Sequence, residues 1–240
     1  MRIDIISVLP KMFEGIFSCG VVGRAIERGV ITLKVHDLHN YSYDKHRTVD
    51  DRPYGGGSGM VLKVEPIYKA IKSLSKKNSY VIYMSAQGKV LTQKNVISLS
   101  KKKHLIVLCG RYEGVDERVM SWIDEEISIG DYILTGGEIP AMVLVDSVCR
   151  GIKGVVKEEE SLKNESFLKK FLDYPQYTRP YSFRGKKVPS VLLSGNHKEI
   201  ERFRLFESIR NTYIKRPDLL KDIKLTKIEK EILSKIKLEN

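Results

Sequence analysis

Three short stretches of the 240-residue chain set polar or aromatic side chains among glycines: Tyr83 to Gly88, Cys109 to Gly114, and Ile129 to Glu138. Each follows an apolar, β-rich run, and glycine lets a backbone approach a ligand closely. In an open parallel sheet, ligands bind beyond the carboxyl ends of the strands. The three stretches could therefore surround one small molecule, although each taken singly is an ordinary turn. Neither a Walker A pattern nor G-x-G-x-x-G occurs, so a nucleotide-phosphate or dinucleotide site is not supported. A fourth stretch, Asp50 to Met60, is stiff at Pro53 and then glycine-rich, which suits a loop that closes on a ligand or a flexible linker. Arg150 could stabilise developing negative charge and Glu165 could accept a proton, but isolated residues of these types are usually surface groups, and spacing alone does not select them.

Other polar clusters point away from metal and redox chemistry. His36-x-x-His39 and His46 lack the Cys or paired carboxylates of a zinc site and read as surface or hydrogen-bonding histidines. Cys19, Cys109 and Cys149 are far apart with no CxxC, so neither a disulfide framework nor a zinc knuckle is indicated, and a reducing cytoplasm fits. Lys101-Lys102-Lys103 at a helix end complements the helix dipole. No apolar stretch approaches the roughly 20 residues of a membrane span, so no membrane partner is expected.

The net charge is +12, and from Arg184 to Asn240 there are 15 basic against 8 acidic residues, a local excess of +7. Such a field favours a polyanion, since neutralising phosphates releases counterions. A Lys-rich solvated surface would look the same by charge alone.

The elements that must position these groups alternate. Arg2 to Leu9, Val30 to Leu38, Tyr80 to Ala86, Leu105 to Cys109 and Ile127 to Leu134 read as strands. Pro10 to Arg28, Glu65 to Lys76, Thr92 to Lys103, Asp116 to Ile123 and Ile139 to Arg150 read as helices, so an α/β fold with a mostly parallel sheet covered on both faces is expected. Leu105 to Cys109, apolar on both faces, suits a central strand. Glu158 to Asn164 is polar, without period, and reads as a mobile linker. Asn196, with Glu199 three residues on, then caps a helix that runs to Arg216 before Pro217. Thr226 to Lys237 forms a last amphipathic helix, so the C-terminal part is expected to be small and helical.

Whole motifs now resemble one family, the TrmD tRNA (guanine-N1)-methyltransferases. The runs His46 to Gly57, Cys109 to Arg118, Gly130 to Met142, Pro175 to Pro180, Leu192 to His197 and Arg216 to Leu220 occur in the family's order and cover nearly the whole chain. The resemblance implies a SPOUT-type sheet with a C-terminal trefoil knot, an exception to the unknotted rule, and an obligate homodimer. It implies a catalytic domain at 1–157, a linker at 158–172 and an all-helical tRNA-binding domain at 173–240. The implied reaction moves a methyl group from S-adenosylmethionine to N1 of guanosine 37, next to the anticodon.

The resemblance also implies roles. Tyr83, Ser85, Gly110, Ile129, Gly130, Tyr132, Leu134, Gly136, Gly137 and Pro140 match cofactor ligands, with Met84, Ala86, Tyr112, Asp131 and Ile133 on the same loops. Asp50, Arg52, Tyr54, Gly55, Gly56, Ser194 and His197 are expected to bind substrate. Arg150 aligns with a catalytic arginine. Glu165 falls where the family usually has its catalytic Asp, with Asp173 the fallback base. Glu113 is expected to help bind the guanine, with magnesium an optional cofactor there. Ala86 stands where the family commonly has Pro, and Gln176 where a His is sometimes found. Another SPOUT enzyme acting on ribosomal RNA or a ribose oxygen is the nearest rival, disfavoured by the Arg150 and linker-carboxylate pair. An RNA-binding protein without catalysis would not need three cofactor loops.

Overall fold

The computed structural model describes residues 1–156, 166–221 and 223–239. The chain divides into two compact units, Met1–Lys157 and Glu158–Asn240. The expected linker from Glu158 to Asn164 lies outside the described residues.

The first unit is built on five parallel strands: β1 (Arg2–Ser7), β2 (Thr32–Asp37), β5 (Ser79–Val90), β6 (His104–Cys109) and β7 (Glu125–Ser128), in the order β2-β1-β6-β5-β7. A small antiparallel pair, β3 (Asp50–Asp51) and β4 (Val61–Leu62), lies apart from it. Every residue of β6 is buried, as a central strand apolar on both faces requires. Alternation along the strands divides the core in two. Ile3, Ile5, Ile82, Leu105 and Val107 pack with helices α1 (Gly20–Glu27), α3 (Gln93–Ser100) and α4 (Glu138–Arg150). Ile6, Val81, Ile106 and Leu108 pack with Ile67, Ala70 and Ile71 of α2 (Val64–Leu74). The sheet is thus covered on both faces.

Local chemistry explains where the elements differ from expectation. Pro10 to Arg28 is a 3₁₀ turn, Pro10–Phe13, followed by α1, because Gly15 between them and Gly20 at the start of α1 adopt φ +88° and +68°. Between Asp116 and Ile123 the helix is also 3₁₀, Glu117–Trp122, with the Asp116 side chain accepting from the Arg118 amide. β7 stops at Ser128: the β-branched and aromatic residues to Leu134 mimic a strand but form a loop, with Ile133 84% exposed. β5 pairs in register to Met84, leaves the sheet, and rejoins it at Lys89 and Val90. Thr92 caps α3 in a reciprocal capping box with Asn95.

A charged cluster surrounds Asp4 of β1, with Arg2 and His104 from the amino ends of β1 and β6 and His36 from β2. Asp4, fully buried, accepts from Arg2 Nε at 2.5 Å and pairs with Nε2 of His36 at 2.8 Å and of His104 at 2.6 Å. A carboxylate only accepts, so His104 carries its proton on Nε2, while Nδ1 faces Ser79 Oγ at 2.7 Å. Burial alone would push the Asp4 carboxyl up, but the hydrogen bonds from Arg2, His36 and His104 outweigh it and hold the group below its usual range.

The second unit packs α5 (His197–Lys215) against α6 (Lys227–Glu239). Asn196 caps α5, accepting from the Glu199 amide at 3.4 Å. Ile209, Phe171, Ile232 and Ile236 form the core. Buried Thr212 accepts from the Leu172 amide at 2.9 Å and donates to the Ser208 carbonyl at 2.7 Å, so its hydroxyl is satisfied. The expectation of an all-helical part needs correction: β8 (Ser182–Phe183) and β9 (Lys186–Lys187) form a short hairpin turning at Gly185, φ +80°.

Asp4→Asn should lower unfolding stability at pH 7 by about 1–3 kcal/mol, since it replaces a charged acceptor with a neutral one. A depressed folded-state pKa stabilises above the unfolded value near 4 and is lost as pH falls through the folded value. Urea unfolding at several pH values should therefore show the gap to wild type closing in strong acid; a gap independent of pH would refute the account.

Candidate active site at the carboxyl ends of the strands

Because β6, β5 and β7 are parallel neighbours, the loops that leave their carboxyl ends emerge side by side. They enclose a cavity of about 270 Å³. Tyr83, Met84, Ser85 and Ala86 line it from β5, Gly110, Tyr112 and Glu113 from β6, and Ile129, Gly130, Tyr132, Ile133, Leu134, Gly136, Gly137 and Pro140 from the loop into α4. The loop's Asp131 is not among the lining residues. Among the described residues that line it, only Arg111 and Glu113 are charged, so the walls are chiefly backbone, aromatic and apolar.

The glycines are a steric requirement. A Cβ on Gly137 would sit 2.8 Å from the Gly110 nitrogen, and one on Gly110 would sit 2.8 Å from the Tyr83 hydroxyl. The Gly137 amide donates to the Gly110 carbonyl at 2.8 Å, and Arg111 and Gly136 form an antiparallel bridge. Gly130, at φ +147°, is held by Ser128, whose Oγ accepts from the Gly130 amide at 3.2 Å. Tyr83 is mostly buried. Burial first, and the Glu126 charge second, push its phenol up to about 12, so it is neutral at physiological pH.

Behind the wall, Glu138 is 1% exposed. One of its oxygens accepts from Ser7 Oγ at 2.8 Å, the other from Arg111 Nε at 3.2 Å. Reading the sequence did not single out Ser7, Arg111 or Glu138. Arg111 and Glu138 do lie inside the glycine-containing stretches, but their pairing needs β1, β6 and α4 to converge, which no local pattern encodes.

The expected substrate loop reaches the β6 loop, although none of its residues lines the cavity. Asp50 pairs with Leu62 across β3 and β4, and the intervening segment carries exposed Arg52 and Tyr54, then Gly55 and Gly56 at φ +87° and +81°. Its far end docks on the β6 loop: the Glu113 amide donates to the Met60 carbonyl at 3.0 Å, and a Cβ on Gly59 would meet the Glu113 carboxylate at 2.5 Å.

Other expected residues lie elsewhere. Arg150 ends α4, and at 1.5 Å per residue the helix separates it from cavity-lining Pro140 by about 15 Å. Asp173, Ser194 and His197 belong to the second unit. Asp173 is exposed, its amide donating to Ser166 Oγ at 3.0 Å and its carbonyl accepting from Asn211 Nδ2 at 2.9 Å. Ser194 Oγ accepts from the Asn196 amide at 3.1 Å, and His197 opens α5, exposed. Glu165 lies outside the described residues. His36 and His39 are bound to Asp4 and Asp37. No three His, Cys, Asp or Glu side chains gather as a metal site among the described residues, and no helix among them is long and apolar enough to cross a membrane.

Comparison with known proteins bears on this arrangement. Residues 1–222 match the family described as tRNA (Guanine-1)-methyltransferase TrmD. A tRNA (guanine-N(1)-)-methyltransferase of Dictyoglomus turgidum is 55% identical over 239 residues, covering 100% of this chain and 98% of that protein. Proteins of the same name from Endomicrobium trichonymphae and Carboxydothermus hydrogenoformans are 54% and 52% identical, covering 92% and 97% of this chain and 100% and 92% of their own lengths. The match runs through all three loops of the cavity, and the chain belongs to the TrmD family of tRNA (guanine-1)-methyltransferases.

Proposed function

We propose that the protein methylates N1 of guanosine 37 in tRNA, using S-adenosylmethionine, in the cytoplasm. The observation that carries this reading is the cavity walled by three glycine-containing loops at the carboxyl ends of adjacent strands in a chain of this family. S-adenosylmethionine supplies an electrophilic methyl group on a sulfonium. At Gly110, Gly136 and Gly137 a Cβ would collide with neighbouring protein atoms, so these positions present bare backbone to the cavity, which fits a ligand held largely by backbone. Tyr83, Ser85, Gly110, Ile129, Gly130, Tyr132, Leu134, Gly136, Gly137 and Pro140 would hold it, with Met84, Ala86, Tyr112 and Ile133 beside them and Asp131 shaping the loop. Magnesium fits less well: among the described residues that line the cavity, Glu113 is the one carboxylate, and no step is assigned to the ion.

N1 of guanine is a weakly acidic ring nitrogen whose proton must leave as the methyl arrives, which calls for an acceptor at N1 and a cation near O6. Arg150 takes the cation's role, Glu165 the acceptor's with Asp173 as fallback, and Glu113 holds the guanine edge. Asp50, Arg52, Tyr54, Gly55 and Gly56 close over the anticodon loop, while Ser194 and His197 contact RNA from the basic, largely helical second unit.

Arg150 is carried away from its own cavity by α4, so it serves the cavity of a second copy, and the enzyme is a homodimer. Exposed Ile139 and Val143 on α4, with exposed Leu9, Met12 and Ile16, support a covered apolar face. A SPOUT trefoil knot is supported by the path of the chain, which leaves edge strand β7, bonds to the β6 loop at Gly110, and continues into α4 against α3 and α1.

Labelled methyl should pass from S-adenosylmethionine to tRNA transcripts with guanosine at position 37 and not to those with adenosine; equal labelling would overturn the function. Mixing Gly137→Ala subunits, which should not bind cofactor, with Arg150→Ala subunits should restore activity, because one site of each heterodimer is then intact. Verified heterodimers that stay inactive would show that each site is built within one chain. Glu165→Gln should slow transfer by roughly two to four orders of magnitude, with Glu165→Asp retaining substantial activity. Near wild-type rates for Glu165→Gln, alongside an inactive Asp173→Asn, would move the base role to Asp173.

A further inference from the structure

Glu138 is more than a structural carboxylate. Its Ser7 partner, at 2.8 Å, ties α4 to the end of β1, and Ser7 Oγ in turn accepts from the Leu9 amide at 2.9 Å. That contact alone would anchor the helix. The second oxygen is spent on Arg111 Nε at 3.2 Å, and Arg111 is the one cation among the described residues that line the cavity. The guanidinium lies against Gly136, where a Cβ would come within 2.7 Å of Nε, and its Nη2 lies 3.4 Å from Met12 Sδ. It is therefore pinned, partly buried, at the wall of the cavity.

We propose that Glu138 is a specificity-determining positioning residue, whose charge cancels that of Arg111 and so lets the cavity accept a sulfonium. The inference rests on the reading of the cavity as a site for S-adenosylmethionine. That cofactor carries a positive sulfur, whereas the product, S-adenosylhomocysteine, has a neutral thioether there. An uncompensated guanidinium at the wall would repel the first and not the second, in surroundings of low dielectric where screening is weak. With the ion pair intact, Arg111 adds no net charge to the wall, whose remaining charged group among the described residues is the Glu113 carboxylate, and the sulfonium meets no net repulsion from it. Glu138 acts through Arg111 without touching the ligand.

The test is calorimetric titration of the full-length protein with S-adenosylmethionine and, separately, with S-adenosylhomocysteine. Glu138→Gln keeps an acceptor for Ser7 but leaves Arg111 uncompensated, so the Kd for S-adenosylmethionine should rise about tenfold more than that for S-adenosylhomocysteine, an estimate for two unit charges near a protein surface. Removing the cation as well, in Glu138→Gln/Arg111→Gln, should return the ratio of the two affinities to the wild-type value. Equal weakening of both ligands in Glu138→Gln, or a ratio that the double variant leaves shifted, would overturn the proposal in favour of a purely structural carboxylate. Should Glu138→Gln fail to fold, Arg111→Gln alone decides: it leaves the Glu138 charge unopposed and must shift the ratio the other way, toward S-adenosylmethionine, and an unshifted ratio overturns the proposal. Binding of neither ligand by the wild type would overturn the cofactor reading itself, an outcome distinct from binding without charge discrimination.

Discussion

The hydrogen bond from the Gly137 amide to the Gly110 carbonyl, at 2.8 Å, joins the end of the central strand to the start of α4 at a separation that no side chain tolerates. Through it the loop from β7 is drawn over the loop from β6, and a cavity exists where there would otherwise be two separate turns. The parallel register of β5, β6 and β7 makes the approach possible, because it delivers three carboxyl ends to one edge. α4 packs on the α1 and α3 face of the sheet, so helix packing and loop closure reinforce each other.

The two ends of the sheet divide the work. Toward the amino ends of β1 and β6, Asp4 is matched by Arg2, His104 and, from β2, His36, and the polar atoms of this cluster are consumed by one another. At the carboxyl end, backbone and aromatic groups face an open cavity, and the charges there are few. A buried carboxylate serves in both places, but Asp4 is surrounded by donors from three strands whereas Glu138 shares itself between a hydroxyl and a guanidinium. A charge matched on every side stabilises the sheet. One matched on the cavity's edge shapes the field that a ligand meets.

Much of this was legible in the sequence. The apolar run Leu105 to Cys109 announced a central strand because a strand buried on both faces has no room for alternation. Asn196 and Glu199 wrote their helix start locally, since a cap is satisfied within three residues. What was not legible depended on distant contacts or on competing signals. Residues 129–134 carry β-branched and aromatic side chains yet form a loop, because Gly130 takes φ +147° and Gly137 bonds to Gly110 beyond β6, so tertiary context overrides propensity. The helical period from Pro10 to Arg28 masked two glycines in left-handed geometry. Arg150 stood out as a residue type, but only the direction of α4 reveals how far it lies from the cavity of its own chain.

The excursion of β5 between Met84 and Lys89 has a thermodynamic meaning. The segment leaves the sheet and returns to it, held at its near end by the β6 register and at its far end by Gly88, whose Cα lies so close to the Glu126–Ile127 backbone that a Cβ would come within 2.5 Å of it. A loop stitched at both ends surrenders its conformational freedom when the protein folds, so little ordering is left for the moment of ligand capture. The segment between Asp51 and Val61 is the opposite case at Gly55, Gly56 and Gly57, around which nothing would crowd a side chain. A ligand seated against the first segment is therefore captured at little ordering cost, and one that must order the second at more.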